Sequence, residues 1–313
     1  MAGAVAVVGC GLIGRAWAIV FARGGHEVRL WDERPEAAAA ARAFAADMLD
    51  ELEARGLIDG PAAAAAARLH VAGDLAAALD GAVHVQENTF EDLEVKRVVF
   101  ARLDALAGPE TVLASSSSAL LPSAISEGLP GRHRCVVAHP INPAYLVPAA
   151  ELVPAPWTDP AVMERTAALL TAAGMKPIVM RREIDGFVMN RLQGALLHEA
   201  FRLVADGVAS AEDVDIGLRE GLALRWSFVG PFETIDLNAP GGVRDYVARY
   251  AGVYDGLSDQ APADWTGPAL DAIEAERRAR LPAADLADRQ AWRDRRLMAL
   301  AAHKRRAARE IGD

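Results

Sequence analysis

The chain opens on an unbroken apolar run. Ala4 to Val8 reads Ala-Val-Ala-Val-Val: short, valine-rich and without polar alternation, the pattern of a strand buried on both faces of a parallel sheet. Gly9 to Gly14 interrupt it, a helical pattern continues to Gly24, and Glu27 to Trp31 form a second short run closed by Asp32. Strand, turn, helix and strand in about 30 residues is the size of a βαβ unit. Residues 35–68 are dominated by Ala, which favours helix, and Gly56 and Gly60-Pro61 break the stretch into a helical hairpin. Further strands are expected at 83–86, 111–115, 135–138 and 177–180, with helices between them, which implies a parallel, doubly wound sheet. After Asp185-Gly186 the pattern changes, and 187–206, 210–220, 231–254 and 266–310 read as mostly helical. The expected class is α/β: a doubly wound dinucleotide-binding type of domain over 1–185, then an all-helical domain over 186–313.

Composition narrows the function. The 313 residues suit two domains, and 52% are hydrophobic, enough for a core in each. There are 43 acidic residues against 33 Lys and Arg, a net charge of −10. No basic surplus exists to replace counterions on phosphates, so a nucleic-acid partner is not expected. Cys10 and Cys135 are far apart and match no metal spacing, so neither a disulfide framework nor a metal site is expected, and a reducing, cytoplasmic setting is. The apolar stretch from Ala2 to Ala22 does not read as a signal or membrane segment: no Lys or Arg precedes it, Arg15 interrupts it, and Gly9, Gly11 and Gly14 punctuate it.

Gly9-Cys10-Gly11-Leu12-Ile13-Gly14 is a G-x-G-x-x-G pattern, weak alone but here following an expected strand and opening an expected helix. The first glycine makes the tight turn, the second admits a pyrophosphate to the backbone, and the third lets helix and strand pack closely. The helix start supplies free N–H groups to the phosphates. Asp32, about 20 residues on, suits the adenosine ribose hydroxyls. It would repel a 2′-phosphate by ~1 to ~4 kcal/mol at 4 Å, which favours NAD over NADP, although Arg34 close by softens the preference.

Three stretches are expected in loops after strand ends, where an open α/β sheet keeps its ligand residues: Ser115 to Ser118, His139 to Pro143, and Glu151. A fourth, Asp185 to Arg191, opens the helical part. Removing hydride from a secondary alcohol needs a base for the hydroxyl proton, and a histidine whose other ring nitrogen faces a carboxylate suits the task. Of the seven histidines, His139 alone lies between an expected strand end and a proline-stiffened loop. Taken singly, a histidine at this place is more often structural, and a serine run is more often loop than catalyst.

Together these residues resemble the 3-hydroxyacyl-CoA dehydrogenase family, and more closely its free-acid branch, that of lambda-crystallin (L-gulonate 3-dehydrogenase) and L-carnitine dehydrogenase. The likeness runs from Gly9 through Gln86-Glu87, Glu91 to Lys96, the serine run, His139 to Pro143 and Gly186 to Gln193, to Gly230-Pro231-Phe232-Glu233-Thr234 and Trp292-Arg293-Asp294. It implies NAD as cofactor, His139 as general base, Glu151 as its orienting carboxylate, Ser118 and Asn190 as hydrogen-bonding partners of the substrate oxygen or the base, and Glu91 and Lys96 as contacts of the nicotinamide half of NAD. Ser116 stands where acyl-CoA enzymes usually carry Asn. The resemblance also implies a homodimer formed through the helical domain.

Gly221 to Gly230 resembles the free-acid relatives, with Arg225 followed by an aromatic. A guanidinium fork matches a carboxylate bidentately, so Arg225 is a candidate for a substrate carboxylate; pairing with a helix acid such as Glu220 is equally consistent. The 36–68 hairpin carries six acids and three arginines, which does not favour a phosphorylated ligand there. The expected activity is oxidation of the 3-hydroxyl of a small L-3-hydroxy acid. An L-3-hydroxyacyl-CoA substrate, or a non-catalytic NAD-binding role, are the alternatives.

Overall fold

The computed structural model describes residues 3–312 except 228, 241, 256, 258–267, 269, 270, 272–274, 276–278, 280 and 281. Phe228 and most of residues 266–281, the first part of the helical stretch expected over 266–310, therefore lie outside the described residues. The chain divides into two compact units, Met1–Met189 with Asp288–Asp313, and Asn190–Ala287.

The first unit is built on an eight-stranded sheet in the order β3-β2-β1-β4-β5-β6-β7-β8. The strands are β1 (Ala4–Val8), β2 (Val28–Trp31), β3 (Leu69–Val71), β4 (Ala82–Glu87), β5 (Val112–Ser115), β6 (Cys135–Pro140), β7 (Ala149–Pro154) and β8 (Lys176–Val179). The first six in chain order pair in parallel. β7 runs antiparallel to β6, and β8 follows β7 in parallel, so the last two strands depart from the all-parallel expectation. The turn from β6 to β7 has no helix to reverse direction, and a strand that returns directly must pair antiparallel. β3 and β7 were not expected.

The valine run of β1 is buried on both faces. Val5 and Val7 join one core cluster, with Trp17, Phe21, Leu30 and Leu49, while Ala6 and Val8 join a second, with Val85, Phe100, Val137 and Phe187. Helices cover both faces: α1 (Leu12–Arg23), α2 (Pro35–Ala54), α3 (Ala62–Ala66), α4 (Leu75–Leu79), α5 (Leu93–Leu106), α6 (Pro122–Ser126) and α7 (Pro160–Ala172). α2 and α3 are the expected hairpin.

The second unit holds most of α8 (Met189–Ala205), then α9 (Ala211–Ile216), a π-helical turn over Gly217–Leu222, α10 (Ala223–Trp226), α11 (Pro231–Leu237) and α12 (Gly242–Asp255). A capping box fixes the start of α9, where the Ser210 hydroxyl accepts from Asp213 N–H and the Asp213 carboxylate accepts from Ser210. The last helix, α13 (Leu286–Ile311), packs for most of its length in the first unit: Met298 is buried in the larger core, and the Arg305 guanidinium donates to the Gly56 carbonyl and to Asp59. None of the described helices is long and apolar enough to cross a membrane.

Candidate active site

The glycine turn has the shape its spacing implies. Gly9 has φ +85°, a left-handed backbone open to glycine, and a methyl there would meet the Asn88 backbone at 2.9 Å. A methyl on Gly14 would sit 1.9 Å from the Gly9 carbonyl oxygen, so α1 approaches the turn more closely than any side chain allows. Nothing lies within 4 Å of a methyl on Gly11. Gly11 caps α1 with no side-chain hydrogen bond, and the first turn carries no acid. Gly11 and Leu12 are exposed and Ile13 is half-buried. An uncluttered helix start with open space above its second glycine fits a dinucleotide pyrophosphate.

Asp32 follows β2 beside this turn. Its Oδ2 accepts from Cys10 N–H at 2.8 Å and its Oδ1 from Arg34 N–H at 3.0 Å, while the exposed Arg34 guanidinium is 3.9 Å away. The carboxylate is thus tied to the glycine turn, with lone pairs left for ribose hydroxyls. Burial and the nearby Asp32 charge push the Cys10 thiol up to about 12, so it stays a neutral packing group.

His139 and Glu151 lie on strands, not in the loops expected for them. They face each other across the β6–β7 ladder in direct register, and His139 Nδ1 is 2.7 Å from Glu151 Oε2. Glu151 is fully buried, and its Oε1 accepts from Val188 N–H at 2.6 Å and Met189 N–H at 2.8 Å. Burial pushes its pKa up, but the bonds from His139, Met189 and Val188 prevail and hold it below the usual carboxylate range. The two amides come from a sharp turn in which Gly186 has φ +75° and Phe187 φ +50°. A left-handed phenylalanine costs about 1–2 kcal/mol; here the ring is wholly buried, with its centroid 5.8 Å from that of His139. His139 Nε2 has no hydrogen-bond partner among the described residues.

The serine run closes β5 and splits in function. Ser116 Oγ accepts from Trp17 Nε1 (2.9 Å) and Gln86 Nε2 (2.7 Å) and donates to Asn88 Oδ1 (2.7 Å), which leaves it no capacity for a ligand. Gln86 also donates to the Ala138 carbonyl, next to His139. Ser118 is exposed, with its amide bonded to Glu91. Glu91 Oε1 accepts from Ser117 Oγ (2.5 Å), Ser118 N–H (2.8 Å) and Ala119 N–H (3.1 Å). Burial works against the Glu91 charge, but the Ser117 hydroxyl, Lys96 and these amides lower its pKa. Lys96 is buried, with Nζ 3.0 and 3.1 Å from the Glu87 oxygens, 3.3 Å from Thr89 O and 3.5 Å from Glu91 Oε2. Sequence reasoning assigned no role to Glu87, fully buried at the end of β4; its signal was a carboxylate closing an apolar strand at the sheet edge that carries the glycine turn.

Asn190 and Arg225 belong to the second unit. Arg225, on α10, is exposed and makes no ion pair among the described residues; Glu220 pairs instead with Arg219 Nε at 2.6 Å. No group of three or more His, Cys, Asp or Glu among the described residues is arranged to hold a metal ion.

Comparison with known proteins places this geometry. Residues 4–184 match the NAD binding domain of 3-hydroxyacyl-CoA dehydrogenase, and residues 186–280 match its C-terminal domain. The chain is 44% identical to the lambda-crystallin homolog of Bos taurus over 96% of this chain and 95% of that one. It is 35% identical to the L-carnitine dehydrogenase of a Pseudomonas species over 94% and 92%. Among solved structures, a 5-formyl-3-hydroxy-2-methylpyridine 4-carboxylic acid 5-dehydrogenase, an NAD+ dependent dismutase, superposes with a TM-score of 0.81 at 26% identity, covering 97% of this chain and 98% of that chain. A dinucleotide turn, an imidazole–carboxylate pair and this co-linear likeness meet in one conclusion: the chain belongs to the 3-hydroxyacyl-CoA dehydrogenase family and is an NAD-dependent oxidoreductase acting on a CH–OH group.

Proposed function

We propose that this enzyme oxidises the 3-hydroxyl of a small L-3-hydroxy acid bearing a free carboxylate, of the L-gulonate kind, to the 3-oxo acid. The observation that carries the reading is the buried His139–Glu151 pair at 2.7 Å with Nε2 of the imidazole left open. NAD, held at the glycine turn and Asp32, would supply the hydride acceptor for the carbinol carbon. His139 accepts the hydroxyl proton on Nε2. Glu151 keeps the ring proton on Nδ1 and stabilises the imidazolium that forms. Ser118 and Asn190 are assigned as hydrogen-bonding partners of the substrate oxygen or the base. Gly9, Gly11, Leu12, Ile13 and Gly14 would hold the pyrophosphate, Asp32 the adenosine ribose, and Glu91 and Lys96 the nicotinamide half.

Arg225 is assigned to the substrate carboxylate. Its exposure, and the pairing of Glu220 with Arg219, support that role over a surface ion pair. The relative named L-carnitine dehydrogenase also favours a small acid. The family model is named for acyl-CoA substrates, so an L-3-hydroxyacyl-CoA is the second reading. A homodimer through the second unit suits the exposed Leu192, Phe232 and Leu237 there.

The test is a panel of L-gulonate, L-carnitine, L-3-hydroxybutyrate and L-3-hydroxybutyryl-CoA, scored by NADH formation, with His139→Gln beside the native enzyme. A free acid should give the highest kcat/KM, and His139→Gln should lower kcat at least ~10² while NADH still binds. Preference for the thioester, or near-native turnover in the variant, overturns the reading.

A further inference from the structure

We propose that Gln86 is a positioning residue: through a buried chain of side-chain hydrogen bonds it sets the end of β6, and with it His139, against the glycine turn. This deepens the proposed function and rests on it in taking His139 as the base.

The β5–β6 ladder runs out just before the base. Its last pair is Ser115 with Val137. The amides that follow on the β5 side are spent elsewhere: Ser116 N–H on the Glu87 carbonyl, Ser117 N–H on Ser115 Oγ and Ser118 N–H on Glu91. The Ala138 carbonyl, one residue before His139, takes its donor from two strands away, Gln86 Nε2 on β4 at 3.2 Å. Gln86 is fully buried, and its amide is filled. The same nitrogen donates to Ser116 Oγ at 2.7 Å, and Oε1 accepts from His84 Nε2 at 3.0 Å. A flipped amide would set its oxygen against the Ala138 carbonyl, so one orientation is fixed. From Ser116 the chain runs on. Its hydroxyl donates to Asn88 Oδ1 at 2.7 Å, and Asn88 donates to the Val8 carbonyl from Nδ2 (3.3 Å) and from its backbone N–H (2.7 Å). Val8 leads into Gly9, and Trp17 on α1 holds Ser116 from the helix that follows the turn. One line of hydrogen bonds therefore joins the seat expected for NAD to the strand that carries the base. The direct ladder neighbours of Gln86, Val7 and Ala114, are apolar. An apolar side chain would suit that face for packing alone, and a buried amide there is costly unless every polar atom is bonded. A fully satisfied polar network fixes one geometry, and a base misplaced by about 1 Å loses about 10² in rate.

The test uses the full-length enzyme. Gln86→Met keeps the bulk of the side chain and removes both donors. Its kcat with the best substrate of the panel should fall at least about tenfold, with the NADH dissociation constant within about threefold of native. Crystal structures of the native and variant NADH complexes should show the His139 Cα moved relative to the Gly9 Cα by about 0.5 Å or more. Ser116→Ala, at the half-buried end of the chain, is the smaller change and guards against a Gln86 variant that fails to fold. It should shift His139 and kcat in the same direction, and the double variant should lose little more than Gln86→Met alone, because the two side chains act in series. A side chain that serves stability alone would lower the urea midpoint and leave kcat within about twofold of native; that result overturns the proposal. A fall in kcat with His139 unmoved, or fully additive losses in the double variant, overturns it too. The displacement is read without any acid. Failure of every free acid in the panel therefore strikes the proposed function, whereas an unmoved His139 strikes only the role given to Gln86.

Discussion

Glu151→Gln keeps the outline of the side chain and changes what its two terminal atoms can do. The native carboxylate accepts at both ends, from Val188 and Met189 N–H at one oxygen and from His139 at the other. An amide offers a single oxygen. Two backbone donors at 2.6 and 2.8 Å outweigh one ring N–H, so that oxygen turns to Val188 and Met189 and the NH2 faces Nδ1. The imidazole must then accept at Nδ1 and carry its proton on Nε2, the atom assigned to receive one. The imidazolium also loses a facing negative charge, worth about 4 kcal/mol at ~4 Å and an effective dielectric of ~20. That corresponds to a kcat about 10³ lower. The assay is initial rate with NAD and the best acid of the panel, both saturating, across neutral and alkaline pH, with NADH affinity measured in parallel. Affinity should persist while kcat falls at every pH. A kcat within about tenfold of native would refute the claim that Glu151 sets the tautomer and charge of the base.

Gly14→Ala forces a methyl to 1.9 Å from the Gly9 carbonyl; it should lower the urea midpoint by the equivalent of about 1–3 kcal/mol and weaken NADH binding, both measured on the purified protein. His84 is fully buried, and desolvation, with a smaller contribution from His26 and against its hydrogen bond to Gln86, lowers its pKa to about 4. The unfolded chain therefore takes up this proton first, and stability present above about pH 6.5 declines as pH falls toward about 4, by about 3 kcal/mol in all. Urea unfolding of native and His84→Leu protein at both ends of that window isolates the effect, and parallel loss in the two proteins would exclude His84 as its source. Arg225→Met should raise KM for a free-acid substrate at least about tenfold with a smaller change in kcat, so an unchanged KM removes Arg225 from substrate binding.

Much of the cofactor half was legible because its residues obey local rules. The valine run, the glycine turn and Asp32 each act within about 30 residues of chain, and β1, α1 and β2 form where their patterns indicate. β7 was not legible: Ala-Ala-Glu-Leu-Val-Pro has a carboxylate at its centre, and an acid in an apolar run ordinarily marks a loop. Glu151 is buried only because His139, Val188 and Met189, distant in sequence, supply three donors. β3 has one buried residue in three, too short a pattern to register. Resemblance gave Lys96 a role but not its burial: Lys96, Phe100 and Leu103 are the buried residues of α5. Their spacing of four and three puts the lysine on the core stripe of the helix, a signal that was present and unused.

The imidazole and its carboxylate are held by a rung of the β6–β7 ladder, not by the connection over 141–148. That connection can therefore lengthen, shorten or change chemistry without disturbing how the two side chains meet. A slip of β7 by a single position, by contrast, would turn the acid to the far side of the sheet and silence the base. Proton handling and the reshaping of that connection are thus mechanically uncoupled, which leaves descendants of this sequence free to alter the loop beside the base while keeping the same acid–base pair.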